Sequence, residues 1–353
     1  MHYIIEEDIL RMMKSNQLLE KLFGKTVLIT GASGYVPAYF VHLFMKLNEM
    51  NNANIKVLAL CRNQSKADMR FKLYYSSPNF VLLLQDVCEP VITNEKIDFI
   101  IHAASPAGVT ERQKNILDTF NANVQGCYNM FELAHRNNLQ GFLFISSVDI
   151  YGKIPNTDRH IEHIYGSIDP LNERDVYSNG KRACESMCMC ESIQNGVPVT
   201  IARPAQIIGP GIALNDGRLH ADFVNQMISK GEIVIKSDGT AVRSFIYITD
   251  AILGLLHILL YGKKGEAYNV ANEQNEASVK ELAEVMAKAY EENDIAIKFD
   301  ITQRKNPEVT HALSVVCADS KKLRSLGWQP QISLEESAKR LITYCIDGEK
   351  EWQ

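Results

Sequence analysis

The chain has 353 residues, of which 46% are hydrophobic and 22% charged, and its formal net charge is −5. These values are typical of a globular protein of one large or two fused domains, and the small negative charge does not favour nucleic acid or an anionic membrane as a partner. No apolar run approaches the roughly 20 residues of a membrane span. Residues 1–24 lack the cationic start and apolar stretch of a signal peptide, so we expect a cytoplasmic protein.

The predicted elements alternate between strand and helix. Residues 1–24 have apolar side chains at roughly helical spacing and are predicted to form a helical extension. Short apolar runs predict strands at 25–30, 55–61, 80–87, 97–105, 141–147 and 198–209. Helices are predicted at 37–50, 115–137, 278–292 and 334–347, the second with an apolar stripe of Leu117, Phe120, Val124, Tyr128 and Phe131. Apolar strands that alternate with helices indicate an α/β fold, in which a parallel sheet is covered on both faces.

The first predicted strand runs directly into the sequence GASGYVP, residues 31–37. Gly31 would let the chain turn tightly off the strand, and Gly34 would let the backbone approach a pyrophosphate at the N-terminus of the next helix. Any strand–helix turn can use glycine, but this one lies between the first strand and the first helix of such a fold. Pro37 replaces the usual third small residue and is tolerated at a helix start. The segment therefore predicts a dinucleotide site.

The end of the second predicted strand bears on the choice of dinucleotide. An acidic residue there would hold the ribose hydroxyls of NAD, but the chain has Cys61 and Arg62. Arg62 fits either a partner for the 2′-phosphate of NADP or a solvated loop arginine. Asp86, at the end of the third strand, is a candidate adenine contact. These residues do not distinguish between the two dinucleotides, so the predicted cofactor is NAD or NADP.

The eight cysteines are scattered and, with no secretory signal, are predicted to be reduced thiols. Cys184, Cys188 and Cys190 cluster on one predicted helix, but no second Cys/His pair at zinc-finger spacing complements them. We interpret the three as buried helix cysteines and expect no metal site.

The sequence DVYSNGKRACE places Tyr177 four residues before Lys181, so that both side chains share one helix face. On its own, this spacing fits a polar surface helix as well as a proton-transfer pair.

Seven short motifs follow one another along the chain: GASGYV (31–36), HAASPA (102–107), NANVQGCYN (121–129), SSVDIYG (146–152), YSNGK (177–181), ARPAQIIGPG (202–211) and RSFIYITD (243–250). Taken together and in this order, they resemble the extended short-chain dehydrogenases/reductases, the nucleotide-sugar epimerase, dehydratase and decarboxylase family. The similarity runs from Lys25 to Trp328.

The resemblance implies a Rossmann-type doubly wound parallel sheet with a smaller C-terminal α/β substrate lobe. The NAD(P)-binding domain would comprise residues 25–202, to which 243–272 would return. The nucleotide-sugar lobe would comprise residues 203–353. A homodimer is also implied, formed through the helices at 115–137 and 177–195.

In this family the Tyr-x-x-x-Lys pair supplies the base. The resemblance implies that Tyr177 takes a proton from a sugar hydroxyl as hydride moves to the nicotinamide, and that Lys181 lowers the pKa of the phenol. Ser147 would share this network and Asp149 would be a catalytic carboxylate, although both residues also fit side chains that cap a turn. The implied cofactor contacts are Gly31, Ser33, Gly34, Tyr35, Val36, Arg62, Asp86, Val87, Ala103, Ala104, Ser105, Asn123, Tyr177, Lys181 and Arg203. The implied substrate contacts are Pro106, Ser147, Gln206, Arg218 and Arg243.

Within the family, HAASPA and residues 209–250 most resemble UDP-glucuronate decarboxylases, which oxidise C4 of the sugar, lose CO₂ and return the hydride. By this resemblance Arg218 would contact the diphosphate and Arg243 the nucleotide or sugar-acid region, because the planar fork of arginine grips phosphate or carboxylate. Four departures fall near the sugar or its diphosphate. Asp149 stands where Glu is usual, GVTERQKN (108–115) replaces a Pro/Tyr segment, Gln206 replaces Asn, and an arginine expected within 306–322 is not evident.

Several alternatives remain open. A nucleotide-sugar 4-epimerase needs only the Tyr, Lys and Ser set, and Arg62 favours an NADPH-dependent 4-keto-sugar reductase. Dehydration is disfavoured because it needs an adjacent Asp-Glu pair, whereas this chain has Val148-Asp149. A non-catalytic NAD(P)-binding scaffold is the alternative from another class, and the intact Ser147, Tyr177 and Lys181 argue against it.

Overall fold

The computed structural model describes residues 1–14, 16–106, 108–154, 159–290, 294–301 and 315–351. Within these residues the strands are β1 Thr26–Thr30, β2 Lys56–Cys61, β3 Phe80–Leu84, β4 Phe99–His102, β5 Gly141–Ile145, β6 Val199–Pro204, β7 Gln206–Ile208, β8 Glu232–Ile235, β9 Val242–Tyr247, β10 Ala267–Val270, β11 Glu276–Ser278, β12 Ala296–Phe299 and β13 Val315–Val316. The helices are α1 Tyr3–Met12, α2 Asn16–Leu19, α3 Tyr35–Asn51, α4 Gln64–Phe71, α5 Val109–Lys114, α6 Ile116–His135, α7 Val176–Gln194, α8 Leu219–Lys230, α9 Ile248–Tyr261, α10 Val279–Ala289, α11 Lys321–Arg324 and α12 Leu334–Glu351.

The main sheet has seven strands in the order β10-β6-β5-β4-β1-β2-β3, and every pairing is parallel. The strands are buried on both faces, by α3 and α9 on one side and by α6 and α7 on the other. The strand order reverses between β1 and β4, and ligands of such sheets bind outside the carboxyl ends of the strands at this point. The predicted doubly wound Rossmann-type α/β fold is confirmed.

The smaller lobe is built around a second sheet and a two-stranded pair. In the second sheet β9 pairs with β7, β11 and β13, and β8 pairs separately with β12. Helices α8, α10 and α12 enclose an apolar core beside these strands. The lobe lies opposite the carboxyl ends of the main-sheet strands, and a cleft separates the two.

Two sequence-based boundaries are corrected. The single strand predicted at 198–209 is two strands, because the chain leaves the main sheet after Pro204 and enters the second sheet at Gln206. The segment 243–272 is also divided. Strand β9 belongs to the second sheet, whereas α9 packs on β5 and β6 and β10 pairs with β6. The end of the helix predicted to reach residue 292 lies outside the described residues.

The N-terminal extension packs against both parts of the molecule. Ile9 and Met12 are fully buried in the core beneath α3 and α9. Asp8 is also fully buried, accepts a hydrogen bond from the Tyr247 hydroxyl at 2.7 Å and forms an ion pair with Arg340 at 3.0 Å. Because Tyr247 ends β9 and Arg340 lies on α12, this carboxylate joins the extension to the smaller lobe.

Helices α6 and α7 pack side by side on one face of the main sheet. The apolar stripe predicted for α6 is corrected, because Leu117 and Tyr128 are mostly exposed. The buried face of α6 is made instead of small and polar residues together with Cys127, Met130 and Phe131. On α7, Cys184 and Cys188 are buried as predicted, but Cys190 is exposed.

Among the described residues, no helix combines the length and apolar character needed to cross a membrane.

Candidate active site

A cleft of about 770 Å³ lies between the carboxyl ends of the main-sheet strands and the smaller lobe. One wall comes from the segments that follow β1, β4 and β5 and from α7. The other comes from β7, β9 and the loops before α8 and after β8. This volume is in the range of small-molecule and cofactor sites. The cleft is therefore the candidate active site.

The glycine turn forms one end of the cleft. Gly31 has φ 63°, and a Cβ there would lie 2.9 Å from the Cα atom of Ala104, so both its conformation and its surroundings require glycine. Gly34 is the N-cap of α3, and Tyr35 and Val36 open that helix on the cleft wall. This arrangement leaves the backbone open to a pyrophosphate at the N-terminus of a long helix.

The segment after β4 lies against this turn. The Thr30 hydroxyl accepts hydrogen bonds from the Ala103 and Ala104 N–H groups at 3.1 and 3.0 Å, which fixes the segment to the end of β1. Ala103 and Ser105 then line the cleft. The Ser105 hydroxyl is buried and has no hydrogen-bond partner among the described residues, which fits a polar ligand in the cleft.

Ser147, Tyr177 and Lys181 meet at the base of the cleft. Ser147 follows β5, and its hydroxyl accepts the Asp149 N–H at 3.1 Å and also hydrogen-bonds the Tyr177 phenol. Tyr177 and Lys181 lie one turn apart on α7, and Lys181 is buried. The Lys181 ammonium donates to the Ile145 carbonyl at 2.7 Å. The structure thus brings together the four predicted catalytic residues, because Asp149 also lines the cleft.

The electrostatics of this cluster correct one expectation. Burial raises the pKa of Tyr177 to about 12, opposed by the nearby Arg112 and Arg218 cations and by the hydrogen bond with Ser147. Burial also lowers the pKa of Lys181 to about 8. The expectation that Lys181 lowers the pKa of Tyr177 counted charge alone and left out the loss of hydration, which acts on both groups in this cleft.

Arg112 is a site residue that the sequence reasoning missed. Its guanidinium lies over the Tyr177 ring, 4.3 Å from the ring centre, and its Nη1 atom is 3.4 Å from Oδ2 of Asp149. It belongs to the segment 108–115, whose departure from the family pattern was the available signal. Lys236, after β8, also lines the cleft and was not predicted.

The predicted substrate residues Gln206, Arg218 and Arg243 all line the cleft. Arg218 forms an ion pair with Asp216 at 3.3 Å and precedes α8. Arg243 lies on β9, and burial lowers its pKa. A further arginine was expected within residues 306–322. Residues 306–314 of this range lie outside the described residues.

The remaining predicted contacts do not line this cleft. They are Ser33, Arg62, Asp86, Val87, Ala104, Pro106, Asn123 and Arg203. Arg62 is ion-paired with Glu111 at 2.8 Å, and Asp86 accepts the Cys88 N–H at 2.9 Å. The Asn123 amide donates to the Thr119 carbonyl at 2.8 Å.

For Arg203 the structure gives a correction. Its guanidinium is buried in an ion pair with Glu185 at 2.6 Å and donates hydrogen bonds to the hydroxyls of Tyr151 and Tyr165 at 3.1 and 2.9 Å. These partners hold the side chain away from the cleft. A cofactor contact through this guanidinium is therefore not supported.

Comparison with known proteins agrees with this geometry. The NAD-dependent epimerase/dehydratase family matches residues 27–271, and the chain belongs to this family. Membership in this family confirms the predicted resemblance and an NAD-dependent enzyme, and of the predicted NAD or NADP it supports NAD.

Two relatives illustrate the similarity in sequence. UDP-glucuronic acid decarboxylase 1 of Arabidopsis thaliana is 30% identical over 322 residues, which cover 90% of this chain and 69% of the relative. UDP-glucuronic acid decarboxylase 1 of Xenopus tropicalis is 28% identical, over 91% of this chain and 72% of the relative.

Solved structures of low sequence identity share the fold. An epimerase from Methanothermobacter thermautotrophicus matches with a TM-score of 0.79 at 21% identity, covering 95% of this chain and 96% of the other. UDP-glucuronic acid 4-epimerase from Bacillus cereus, in complex with UDP-glucuronic acid and NAD, matches with a TM-score of 0.73 at 21% identity, covering 91% of this chain and 99% of the other.

Proposed function

We propose that this protein oxidises the C4 hydroxyl of a nucleotide-linked sugar with bound NAD, and that its reaction is the decarboxylation of UDP-glucuronate or of a closely similar uronic acid. The observation that carries the proposal is the convergence of Ser147, Tyr177 and Lys181 in one cleft with the glycine turn at Gly31 and Gly34. The decarboxylase relatives support the choice of substrate.

The residues around the glycine turn fit NAD. The N-terminus of α3 would hold the pyrophosphate, and Lys181 and Tyr177 would face the nicotinamide ribose. When bound, NAD⁺ supplies the acceptor for the hydride that leaves C4.

The protein's own groups would handle the proton. The Tyr177 phenolate would take the proton of the sugar C4 hydroxyl, which the Ser147 hydroxyl would orient. The hydrogen bond between Ser147 and Tyr177 favours the phenolate, as do the Arg112 and Arg218 cations. Burial opposes the phenolate, so Tyr177 must lose its own proton before it can accept the one from the C4 hydroxyl.

Arginines would bind the anionic parts of the substrate. Arg218 and Arg243 lie on the smaller-lobe wall, where the planar fork of Arg218 would hold the diphosphate and that of Arg243 the nucleotide or sugar-acid region. Oxidation at C4 would make a uronic acid into a β-keto acid, which loses CO₂ and leaves an enolate that takes one proton at C5. This sequence needs a single proton donor there and not an acid and a base side by side. Asp149 is the single carboxylate of the segment after β5, which suits decarboxylation better than dehydration.

Epimerisation at C4 is the second candidate, because it needs the same Ser147, Tyr177 and Lys181 set and no further carboxylate. The reductase alternative loses support, because Arg62, one candidate partner for a 2′-phosphate, is ion-paired with Glu111. A non-catalytic scaffold would not need the three catalytic side chains in one cleft.

The test is to incubate the purified protein and NAD⁺ with UDP-glucuronate, UDP-glucose and their dTDP, GDP and CDP counterparts, and to analyse the products by mass spectrometry. Decarboxylation predicts loss of the mass of CO₂ from a uronic acid. An isomer of unchanged mass would favour the epimerase. The absence of any product from all of these sugars would contradict the enzymatic proposal.

We also propose a homodimer formed through α6 and α7. The two helices pack against each other, and both expose large apolar side chains, including Leu117, Tyr128 and Ile193. Such side chains favour a partner surface over water. Light scattering after size exclusion should give twice the chain mass of 39.8 kDa, and Leu117→Asp should reduce it to a single chain. A wild-type mass of one chain would contradict this.

We propose a cytoplasmic location for the protein. The eight cysteines form no disulfide in the structure, which suits a reducing compartment. Imaging of a fluorescent fusion would test it, and a signal confined to a secretory or organelle compartment would contradict it.

A further inference from the structure

The helix α5 is fixed beside a residue proposed to bind substrate. The Thr110 N–H donates to the Asp216 carbonyl at 3.3 Å, and a Cβ added at Gly217 would lie 2.7 Å from the Thr110 hydroxyl oxygen. Asp216 also pairs with Arg218. The close approach of these two segments places α5 at the cleft wall next to the loop that carries Arg218.

From this position α5 directs one cation into the site. The Arg112 side chain is 23% exposed, its guanidinium covers the Tyr177 ring at 4.3 Å, and it lines the cleft. Among the described residues its one polar contact is the 3.4 Å approach of Nη1 to Asp149. This contact is long and involves one nitrogen, so most of the five N–H donors of the guanidinium are available to a ligand.

The chemistry of the proposed substrate supplies an anion at this place. Tyr177 would act on the C4 hydroxyl, and in a uronic acid the carboxyl carbon is attached to C5, the neighbouring ring atom. A group that covers the Tyr177 ring is therefore within reach of that carboxylate. The planar guanidinium matches a carboxylate with two parallel hydrogen bonds, which a neutral hydroxymethyl group of a hexose cannot accept in the same way.

We infer that Arg112 is a specificity-determining residue that binds the C5 carboxylate of a nucleotide-linked uronic acid and so selects acidic over neutral sugars. This inference rests on the proposed function, since it assumes that Tyr177 acts at C4. The competing role is purely electrostatic, with Arg112 acting on Tyr177 and not touching the substrate.

Binding measurements separate the two roles without turnover. The Kd of UDP-glucuronate and of UDP-glucose is measured by calorimetry for the NAD⁺-bound Tyr177→Phe protein, which keeps the aromatic ring under Arg112. Arg112→Gln and Arg112→Lys are then added to this background. Lys114→Gln is the matched control, because it removes the same charge from an exposed position on the same helix.

Arg112→Gln should weaken binding of UDP-glucuronate by about 10- to 100-fold, as expected for loss of a charge-assisted pair, and should change binding of UDP-glucose by less than about 2-fold. The affinity of the Arg112→Lys variant for UDP-glucuronate should lie between that of Arg112→Gln and that of the protein with Arg112, because lysine keeps the charge but loses the planar fork. Lys114→Gln should change neither affinity. Equal weakening for both sugars, or no weakening, would overturn the inference.

Kinetics in the catalytically active protein provide the second readout. If Arg112 binds the carboxylate, Arg112→Gln raises KM for the uronic acid. If it acts only on Tyr177, kcat falls for every substrate, the pH profile moves to higher pH and KM is unchanged, which would overturn the inference. A protein that binds both sugars without preference contradicts this inference alone, whereas a protein that binds neither contradicts the proposed function as well.

Discussion

The ammonium of Lys181 lies 5.7 Å from the centre of the Tyr177 ring and is hydrogen-bonded to the Ile145 carbonyl instead of the phenol. Its surroundings include the Phe144 ring at 4.8 Å and the buried thiols of Cys127 and Cys184. The cation is therefore held in an apolar wall of the active site, where burial lowers its pKa. A side chain that activity requires is thus expected to reduce the free energy of unfolding.

Lys181→Met should stabilise the fold while it abolishes activity. Burial lowers the pKa of Lys181 from 10.5 to about 8, so between these values the unfolded chain binds more protons and wild-type stability rises with pH. At pH 7 the buried charge costs about 3 kcal/mol, from which about 1 kcal/mol for the lost hydrogen bond to Ile145 is subtracted. The variant should thus gain about 2 kcal/mol in free energy of unfolding at pH 7.

Urea denaturation at several pH values checks this, with the exposed Lys72→Met as control. The gain should be constant below pH 8 and should shrink as the pH rises toward 10.5, whereas the control should show no such trend. A Lys181→Met variant that is less stable than wild type at pH 7 would show that the buried ammonium does not destabilise the folded protein.

Gly31→Ala should prevent NAD binding and also destabilise the protein. Gly24→Ala is the control, because it should cause a similar backbone strain without affecting NAD binding. Both glycines have positive φ, 63° and 67°, so an alanine at either position costs about 1–2 kcal/mol in backbone strain. Only Gly31 has a close neighbour, because the space around Gly24 is open to 4 Å. NAD⁺ titration followed by fluorescence should show binding in Gly24→Ala and none in Gly31→Ala. Equal NAD⁺ affinity in the two variants would remove the glycine turn from the cofactor site.

Asp8→Ala should lower the free energy of unfolding by about 3 kcal/mol, because it leaves Arg340 and Tyr247 without their buried partner. Glu7→Ala is the control. Glu7 pairs with the same Arg340 at 3.2 Å but is 56% exposed, so its loss should cost less than about 1 kcal/mol. Denaturant titration of the two variants compares them directly. Similar losses would mean that the extension is not held by the buried carboxylate.

Residues whose role follows from local order could be predicted, and those placed by tertiary packing could not. Tyr177 and Lys181 are found by their spacing on one helix together with the order of the family motifs around them, and Gly31 by its place after the first strand. Arg112 was not predicted because tertiary packing, including that of α5 on residues 216–217, places it at the site. Arg203 was misassigned because the motif fixes its position on β6 but not which side of the sheet its guanidinium takes.

The energetics were harder to predict than the positions. A sequence shows that a lysine lies one turn from a tyrosine, but the pKa of each group depends on how much water the fold removes. In this site the loss of hydration outweighs the attraction between neighbouring charges for Tyr177 and Lys181 alike.

The most direct test follows the hydrogen on C4. UDP-glucuronate deuterated at C4 is incubated with NAD⁺ and the wild-type protein or its Tyr177→Phe variant, and the product is analysed by mass spectrometry and NMR. We predict a decarboxylated product that keeps the deuterium at C4, because the hydride returns from the cofactor, and a rate at least about 100-fold lower for Tyr177→Phe. A wild-type product that has exchanged this hydrogen with solvent, or an unchanged rate in Tyr177→Phe, would contradict the account.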